Sequence, residues 1–405
     1  MPKAAVERQA LNFEEARQIV IRTVRALGNT AVAETVLLDQ AHGRVLAEDV
    51  RADRDYPTLR RSLRDGFAVR SADIPGVLRV RGEVRAGEGA QPALASGEAL
   101  EIMTGAPVPN GADAIVMIEH VTRDGAQVHI ERPAEPGQFI NEQGVEAQRG
   151  CCLIPERTRL DASHIATLAM TGHNSVRVAV RPSVAILATG DEIVPLAETP
   201  APHQVRNSNS YMLAALVNAS GARAQMLPIA HDTKQALEPL LEQGLRHDLL
   251  LISGGVSAGK YDLVKPTLRD LGVEFHFERV RVQPGQPTAF GTVANKPVFG
   301  LPGNPGSTLT TYQLFARAAL EVLSGVSEPL LPLLSARFEA PFHHKPGLTR
   351  FLPARLSADG QHLRYIPWQG SSDVPALAKA NAFLVADHDR ESWDIGDSIR
   401  VMLKP

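Results

Sequence analysis

The chain has 405 residues, of which 44% are hydrophobic and 21% charged, and its formal net charge is −3. This length exceeds what one hydrophobic core usually fills, so two to four domains are expected. The charge gives no general attraction to nucleic acid, and no apolar run is long enough to span a bilayer. The first ten residues lack the apolar core of a signal peptide, which predicts a cytoplasmic protein.

Cysteine and histidine usage excludes several classes of site. The only two cysteines, Cys151 and Cys152, are adjacent, which excludes a disulfide framework or a cysteine zinc site. We expect them to be reduced thiols in a strand, since a vicinal disulfide would be strained. The 13 histidines include no HExxH spacing. His343 and His344 would point to opposite faces of a strand, and we expect solvated surface histidines rather than a metal site.

The chain opens with an amphipathic helix. Apolar residues recur with helical spacing from Phe13 to Leu27, and Gly28 ends the pattern. Strand-like pieces follow over residues 34–41 and 44–50. This part of the chain therefore mixes one helix with short strands.

Asp65 stands in a strongly basic segment, among Arg60, Arg61, Arg64 and Arg70. A carboxylate held among these guanidinium groups would have its ionised form favoured. The alternative is a solvated run of charges.

A small β domain is predicted next, because short apolar runs alternate with Gly and Pro over residues 78–131. The runs are residues 78–84, 99–103, 114–119 and 127–130. Thr104 lies between two of these runs. One interpretation is that it is a turn residue only, without a functional role. A polar connector over residues 136–150 and a helix over residues 163–170 follow.

From Val184 onward, buried strands alternate with helices. Strands are predicted at residues 184–188, 222–229 and 249–252, and helices at residues 209–219, 233–245 and 263–271. This alternation is typical of a doubly wound parallel sheet with right-handed crossovers. Later strands at residues 273–282 and 289–293, a run at 297–300 and a helix at 307–323 complete this region.

Carboxylates and glycine turns follow the strands of this sheet. They are residues 189–192, Asp232, residues 254–262 and residues 303–307. Ligands bind at the carboxyl ends of such strands, so these segments should converge. Acids beside turns that direct backbone N–H groups outward predict a phosphate site with a divalent cation. Because the available ligands are hard oxygens, magnesium fits better than zinc.

The central turn, over residues 254–262, has three interpretations. Gly254, Gly255 and Gly259 allow a sharp turn that approaches an anion closely. Gly254 to Lys260 also matches the first seven positions of a P-loop, but Tyr261 stands where a Ser or Thr hydroxyl must reach the magnesium. The third interpretation is a tight strand-to-helix turn without a ligand.

Short strands predicted at residues 336–342, 350–354, 363–366, 382–385 and 398–403 form a closing β domain. The sequence thus predicts an α/β multidomain protein, with a doubly wound, mostly parallel sheet domain and small β-rich domains.

Several motifs, in order along nearly the whole chain, resemble those of the molybdopterin molybdenumtransferases, a family that includes the E domain of gephyrin. They are residues 65–70, 103–109, 189–192, 208–209, 253–257, 284–285 and 301–305. The resemblance implies a homodimer of elongated four-domain subunits. The implied domains are a discontinuous linker domain (1–45 and 140–178), a small β domain (46–139), a molybdopterin-binding domain (179–327) and a C-terminal β domain (328–405).

The resemblance also implies a reaction. Adenylylated molybdopterin, handed over by a molybdopterin adenylyltransferase, would be hydrolysed with magnesium, molybdate would be inserted, and AMP and molybdenum cofactor released. Asp65 and Thr104 would act from the partner subunit, and Glu192, Asp232 and Asp262 would hold metal and substrate. Ligand contacts would come from Arg64, Gly190, Asp191, Ser208, Asn209, Ser253, Gly254, Gly255, Ser257, Lys260, Pro284, Gly285, Pro302, Gly303, Asn304 and Pro305.

This chain departs from the family pattern at charged positions. Gln283 and Gln286 stand where the family usually has lysines, Arg64 replaces a methionine, and Lys260 replaces an acid. Glu142 and Asn207 replace a family Arg and Asp. Either Arg64 and Lys260 hold the oxyanion instead, or the protein binds a related pterin without inserting metal.

Three functions are therefore compared. The leading one is the transferase, with molybdate or tungstate as the oxyanion. The second is a pterin-binding scaffold or chaperone without turnover, and the third is a P-loop NTPase. Retention of Asp65, Glu192, Asp232 and Asp262 favours the enzyme, because clustered carboxylates are costly to keep without a function.

Overall fold

The computed structural model describes residues 11–28, 32–89, 92–256 and 262–404. The chain divides into two compact units. The second unit contains Glu48–Glu156 and Ala162–Asn174, and the first contains the rest of the described chain. The boundaries of the four implied domains remain a prediction. No helix in the described ranges is long and apolar enough to cross a membrane.

The first unit begins with helix α1 (Phe13–Ala26), as predicted. The Asn12 side chain accepts a hydrogen bond from the Glu15 backbone N–H, and the Glu15 carboxylate accepts one from the Asn12 N–H. This reciprocal capping satisfies two donors that the first turn leaves free. Strand β1 (Ala33–Leu37) follows, and a 3-10 turn replaces the end of the strand-like piece expected up to residue 41.

The second unit is built on a six-stranded sheet. Its elements are β2 (Val50–Arg51), β3 (Arg61–Ser62), β4 (Gly66–Val69), β5 (Gly76–Val84), β6 (Glu98–Ile102), β7 (Ala114–Met117), β8 (Val121–Asp124), β9 (Gln127–Ile130), β10 (Ile140–Asn141), β11 (Cys152–Ile154) and α2 (Ala162–Met170). The sheet order is β7-β4-β6-β5-β9-β8. Phe67 and Val69 join one apolar cluster and Ala68 joins another, so β4 is buried on both faces. Cys151 and Cys152 are free thiols, as predicted, although only Cys152 lies in a strand.

The chain then returns to the first unit and enters the region that contains the α/β sheet and its helices. Its elements are β12 (Ser175–Ala179), β13 (Ser183–Ala188), β14 (Ile193–Val194), β15 (Val205–Arg206), α3 (Asn209–Ala219), β16 (Arg223–Met226), α4 (Lys234–Gly244), β17 (Leu249–Ser253), α5 (Val264–Asp270), β18 (Glu274–Phe277), β19 (Val282–Gln283), β20 (Ala289–Val293), β21 (Lys296–Leu301), α6 (Pro305–Thr311) and α7 (Arg317–Leu323). The strand order of the α/β sheet is β16-β13-β17-β21-β20-β18, and its first three pairings are parallel and its last two antiparallel. This confirms the predicted mostly parallel sheet.

Alternate residues of the central strands bury both faces of this sheet. In β13, Val184 and Ile186 join a cluster that includes residues of α1, α3 and α7. Ala185 and Leu187 join a second cluster with residues of α4 and α5. Helices on both faces explain the unbroken apolar runs of these strands.

Several predicted elements in this region have different bounds. The strand expected over residues 222–229 is limited to Arg223–Met226. The strand expected over residues 273–282 ends at Phe277, and β19 pairs with a strand of the C-terminal sheet. The helix expected from residue 307 begins at Pro305, and a π-helical segment, Tyr312–Ala316, joins α6 to α7. Local periodicity contains no signal for such a change of helical pitch.

The C-terminal part forms a small barrel. Its elements are β22 (Leu333–Phe338), β23 (Phe342–His343), β24 (Thr349–Leu356), β25 (His362–Tyr365), α8 (Val374–Lys379), β26 (Ala382–Ala386), β27 (Ser392–Trp393) and β28 (Ser398–Leu403). The order is β19-β24-β25-β22-β28-β26, and pairing of β24 with β26 closes the ring.

His343 and His344 occupy opposite sides, as expected, but only His343 is solvated. His344 is 7% exposed and its Nε2 lies 2.6 Å from the Arg390 carbonyl oxygen, so the expectation of two surface histidines was wrong. Packing against Phe342 and Trp393 buries its ring. The same burial lowers the pKa of His344.

Candidate functional site

A cavity of about 610 Å³ lies at the carboxyl ends of β13, β17 and β21. Twelve of the predicted site residues form part of its wall: Gly190, Glu192, Ser208, Asn209, Asp232, Ser253, Gly254, Gly255, Pro302, Gly303, Asn304 and Pro305. The strand ends therefore converge as the sequence indicated. The volume lies within the range that small-molecule sites usually have.

Thr189 fixes one carboxylate of the cavity. It follows β13, is 3% exposed, and donates its hydroxyl hydrogen to Asp232 Oδ1 at 2.6 Å. Its backbone N–H donates to the Ser253 carbonyl oxygen at 3.1 Å. A buried hydroxyl with one acceptor holds that carboxylate in a single orientation.

Gly190, Asp191 and Glu192 have three different surroundings. A Cβ at Gly190 would lie 2.6 Å from Glu192 Oε2, so the missing side chain lets the exposed Glu192 carboxylate fold back over the turn. Asp191 is exposed and does not belong to the cavity wall. Its Oδ1 lies 3.0 Å from His231 Nδ1 and accepts from the Asp232 N–H at 3.3 Å, and these hydrogen bonds lower the pKa of Asp191. Asp191 thus stabilises the conformation of the segment that contains Asp232.

Asn209 connects the ends of β17 and β21. Its Nδ2 donates to Ser253 Oγ at 2.7 Å and to the Gly303 carbonyl oxygen at 2.6 Å. Its Oδ1 is buried and has no hydrogen-bond partner. A buried acceptor without a partner is costly, so this oxygen is suited to a donor on a ligand.

The start of α3 also opens onto the cavity. Asn207 Oδ1 accepts from the Ser210 N–H at 3.1 Å and its Nδ2 donates to Ser210 Oγ at 3.0 Å. Asn207 therefore caps the helix, while Ser208 makes no side-chain cap bond. The partial positive charge of a helix N-terminus attracts anions, so this wall suits a phosphate.

The glycine turn after β17 is constrained by its neighbours. Gly254 has φ +100°, and a Cβ there would lie 2.4 Å from the Thr189 carbonyl oxygen. Only glycine fits this close approach. Ser257 and Lys260 lie outside the described residues, as do Gly259 and Tyr261 on which the P-loop interpretation depends.

Asp262 is the most perturbed carboxyl group of the site. Both carboxylate oxygens are buried and make no hydrogen bond of normal geometry, although the Val264 and Lys265 N–H groups face them. Burial is the main cause that raises the pKa of Asp262 to about 6, and the charge of Asp232 adds to it. The Lys265 ammonium acts in the opposite direction. Asp262 therefore lies near Asp232 but is not part of the cavity wall.

The described residues fit magnesium in one of its usual modes. They contain no group of three His, Cys, Asp or Glu placed to hold a metal, so the predicted trio of Glu192, Asp232 and Asp262 is not assembled there. Magnesium is often bound by only one or two carboxylates, with substrate phosphates and water completing the octahedron. Glu192 and Asp232 supply two carboxylates on the cavity wall. That these two carboxylates bind magnesium, and that Asp262 assists them, remains a prediction.

Pro284 and Gly285 do not belong to the cavity wall, which their neighbour Pro287 joins instead. In the amide orientation that matches its neighbouring donors, the Gln286 side-chain oxygen accepts hydrogen bonds from Arg279 Nη2 at 3.0 Å and from Arg279 Nε at 3.2 Å. Gln283 is exposed. One of the two glutamines expected to replace family lysines is therefore engaged with a guanidinium group.

Asp65 and Thr104 meet in the second unit. Asp65 Oδ1 accepts from the Thr104 N–H at 2.6 Å and from its hydroxyl at 2.8 Å. Both bonds lower the pKa of Asp65, and the bond from the backbone N–H has the larger effect.

The expected cause of that shift, the surrounding arginines, was wrong. Arg60 donates to carbonyl oxygens, Arg70 lies 3.8 Å from Asp73, and the exposed Arg64 lies 5.8 Å from the Phe139 ring centroid.

The start of α8 and the turn before it also contribute to the site, which the sequence did not indicate. Ser372 and Val374 form part of the cavity wall. Ser371 Oγ accepts from Asn304 Nδ2 at 2.9 Å, and its carbonyl oxygen accepts from the Gly306 N–H at 2.7 Å. The available signal was the polar Ser-Ser-Asp turn, whose Asp373 caps α8. Only the tertiary contact shows that this turn reaches the loop after β21.

Family models match three stretches of the chain. Residues 11–172 match the MoeA N-terminal region (domain I and II), residues 185–322 a probable molybdopterin binding domain, and residues 335–404 the MoeA C-terminal region (domain IV).

Relatives match over most of their length. A molybdopterin molybdenumtransferase of Nostoc is 36% identical over 333 residues, covering 80% of this chain and 76% of the relative. One from Staphylococcus epidermidis is 31% identical over 376 residues, 90% of each chain. A molybdopterin biosynthesis MoeA protein of Pyrococcus horikoshii has a crystal structure that superposes with a TM-score of 0.75 at 32% identity, covering 98% of this chain and 100% of that one. A second structure from that organism gives 0.81 at 27% identity over the same shares.

Proposed function

Because the chain belongs to the molybdopterin molybdenumtransferase family, we propose that it inserts molybdate into adenylylated molybdopterin and releases AMP and molybdenum cofactor. One observation carries the proposal: a single cavity combines carboxylates with a helix N-terminus. Both features favour cleavage of a pyrophosphate linkage, since the carboxylates would hold a cation and the N-terminus attracts phosphate oxygens.

Glu192 and Asp232 would hold the magnesium ion, with Asp262 close to Asp232. When bound, the ion would neutralise negative charge on the phosphates. The Thr189 hydroxyl keeps Asp232 oriented before any ligand arrives, so little reorganisation is needed. Asp262, with a pKa of about 6, holds its proton part of the time near neutral pH, which suits proton transfer to or from a reacting group.

Asn209 would orient the pterin. Its amide nitrogen is already occupied by Ser253 and Gly303, and its buried Oδ1 has no partner, so this oxygen would accept from a donor on the ligand. Pterins carry several N–H donors that such an oxygen accepts. The loop from Pro302 to Pro305 forms the adjoining wall.

We propose a homodimer in which Asp65 and Thr104 of one subunit complete the site of the other. Both side chains are exposed in the second unit, and their hydrogen bonds preorganise the carboxylate. A solvent-exposed carboxylate held in one orientation suits a role toward a ligand or a neighbouring subunit.

A pterin-binding scaffold without turnover is the second candidate, because Gln283 and Gln286 replace basic residues and Gln286 is engaged with Arg279. An assay of cofactor formation separates the two. Purified protein, adenylylated molybdopterin, magnesium and molybdate should together activate a molybdenum-dependent enzyme supplied without its cofactor. Tungstate in place of molybdate tests the choice of oxyanion, and a scaffold would activate nothing with either.

A further inference from the structure

A second cavity, of about 500 Å³, lies where β13 and β16 begin, at the opposite end of the parallel sheet from the first cavity. It is enclosed by the turn at Gly43, the residues before β13, the end of α3, and the helix that continues into α7. The two cavities share no residue of their walls. The volume is sufficient for a small organic ligand.

The wall of this cavity is strongly basic. Arg159, Arg181 and Arg317 contribute three guanidinium groups, and Glu321 contributes the single carboxylate. The formal charge of the wall is therefore +2 with His42 neutral. Like charges held together in a concave, partly desolvated site attract counter-ions.

Arg159 is held in place from two sides. Its Nη1 donates to the Gly43 carbonyl oxygen at 2.9 Å. A Cβ on Gly221, which has φ +84°, would lie 2.9 Å from the same nitrogen, so the absence of that side chain makes room for the guanidinium group. Burial lowers the pKa of Arg159, as expected for a cation whose hydration is only partly replaced.

Arg317 and Glu321 form the opposite wall. Arg317 Nε lies 3.0 Å from Glu321 Oε1, and its Nη1 donates to Gln313 Oε1 at 3.3 Å. Glu321 Oε2 is buried and has no hydrogen-bond partner. Gln313 belongs to the π-helical segment, and such segments occur frequently at functional sites.

We propose that this cavity binds a small phosphate-bearing molecule that also carries a hydroxyl or amino donor. Guanidinium groups match the geometry and charge of phosphate oxygens. The cavity is larger than one phosphate group needs, and the unpartnered Glu321 oxygen accepts from the donor on the rest of the ligand. The proposal does not depend on the function of the first cavity, since the walls are separate.

Isothermal titration of the full-length protein with inorganic phosphate and with ribose 5-phosphate tests the proposal. Ribose 5-phosphate should bind more tightly than phosphate, because its sugar hydroxyls extend beyond the phosphate group to the Glu321 oxygen and its ring fills volume that phosphate alone leaves empty. Arg159→Gln should weaken binding of both about ten- to a hundredfold, since a charge-assisted hydrogen bond is lost. Arg181→Gln should weaken binding less, because Arg181 is exposed.

Glu321→Gln should have the opposite effect and increase the affinity for inorganic phosphate, because this variant removes the only negative charge of the cavity wall. Arg246→Gln is the matched control, since Arg246 is an exposed arginine on neither cavity wall. Arg181 is exposed, so Arg181→Gln keeps the test decisive even if Arg159→Gln fails to fold. No binding of either ligand by the parent at millimolar concentration would overturn the proposal. Equal affinity of parent, Arg181→Gln and Glu321→Gln would also overturn it.

Discussion

Asp65 accepts two hydrogen bonds from Thr104, a residue 39 positions later in the chain. The pairing of β4 with β6 brings them together, because Gly66 lies opposite Ile102 and the two strands run antiparallel. Both bonds favour the ionised carboxylate, so the pKa of Asp65 is lowered and the group is an anion at neutral pH. The pair therefore behaves as one preorganised unit on the surface.

Thr104→Val should raise the pKa of Asp65, because the hydroxyl bond disappears while the backbone bond remains. If Asp65 acts on the substrate, kcat/KM should fall roughly three- to tenfold with an unchanged melting temperature. Thr104→Ser is the control and should retain both values. NMR titration of the Asp65 carboxyl carbon measures the pKa, and equal pKa values in the Val and Ser variants would refute the proposed coupling.

The contact between Thr189 and Asp232 leads to a second prediction. Thr189→Val keeps the shape of the buried side chain but leaves Asp232 without its donor, so the affinity for magnesium should fall about tenfold. The free energy of unfolding should drop by about 1 kcal/mol. Titration of magnesium in the presence of AMP reports the affinity, and Thr189→Ser should resemble the parent. An unaltered magnesium affinity in the Val variant would contradict the prediction that the Thr189 hydroxyl positions Asp232 as a magnesium ligand.

The sequence predicted elements well where local patterns decide them. The helix at Asn209–Ala219 and the strand at Ser398–Leu403 have the predicted bounds. The carboxyl ends of β13, β17 and β21 converge as parallel topology requires. Strand register and long-range contacts could not be predicted from the sequence, because no local pattern indicates which distant strand is the partner. The approach of Ser371 to Asn304 is such a contact.

The causes of the pKa shifts were predicted less well than the positions of the helices and strands. The basic segment suggested arginines as the cause of Asp65 ionisation, whereas a turn 39 residues away supplies the hydrogen bonds. The raised pKa of Asp262 arises from burial, which the sequence around it does not reveal. Desolvation depends on the whole fold around a group.

Glu192→Gln and Asp262→Asn should each reduce turnover roughly a hundredfold or more while the protein stays folded. Glu192 is exposed and Asp262 is partly buried without a hydrogen bond, so neither is needed for packing. Circular dichroism and melting curves check the fold. A melting temperature that falls as strongly as activity would assign these residues a structural role.

Asp262 also predicts a pH dependence of stability in the metal-free protein. Its pKa is about 6 when folded against 3.8 as the ordinary value, so the folded state binds more protons between these values. Stability contributed by this group is therefore highest below about pH 4 and declines as pH rises towards about 6. Asp262→Asn should be more stable than the parent above pH 6 by about 1 kcal/mol, after allowance for solvent screening.

Denaturant unfolding at several pH values in EDTA measures this difference. The gain from Asp262→Asn should shrink below about pH 4, where the parent carboxyl is protonated in both states. A variant that is less stable than the parent at every pH would show that the carboxylate has partners that stabilise the fold.

Mixing two inactive variants tests the shared site. Asp65 and Asp262 lie in different units of the chain. Because Asp65 of one subunit is proposed to complete the site of the other, a hybrid of an Asp65→Ala chain with an Asp262→Ala chain would contain one site with both residues intact. Activity should return to roughly a quarter of the parent value after random exchange of subunits, because half the dimers are hybrids with one good site each. No recovery, with exchange demonstrated by tagged subunits, would contradict the proposal that the two residues act across the dimer.

Release of AMP from adenylylated molybdopterin is the most direct measurement of the proposed transferase activity. With magnesium and molybdate, the purified protein should release one AMP for each substrate molecule consumed, and EDTA or Asp262→Asn should suppress the release roughly a hundredfold. Binding of the substrate without release of AMP, in the presence of both magnesium and molybdate, would contradict the proposal and identify a pterin-binding scaffold.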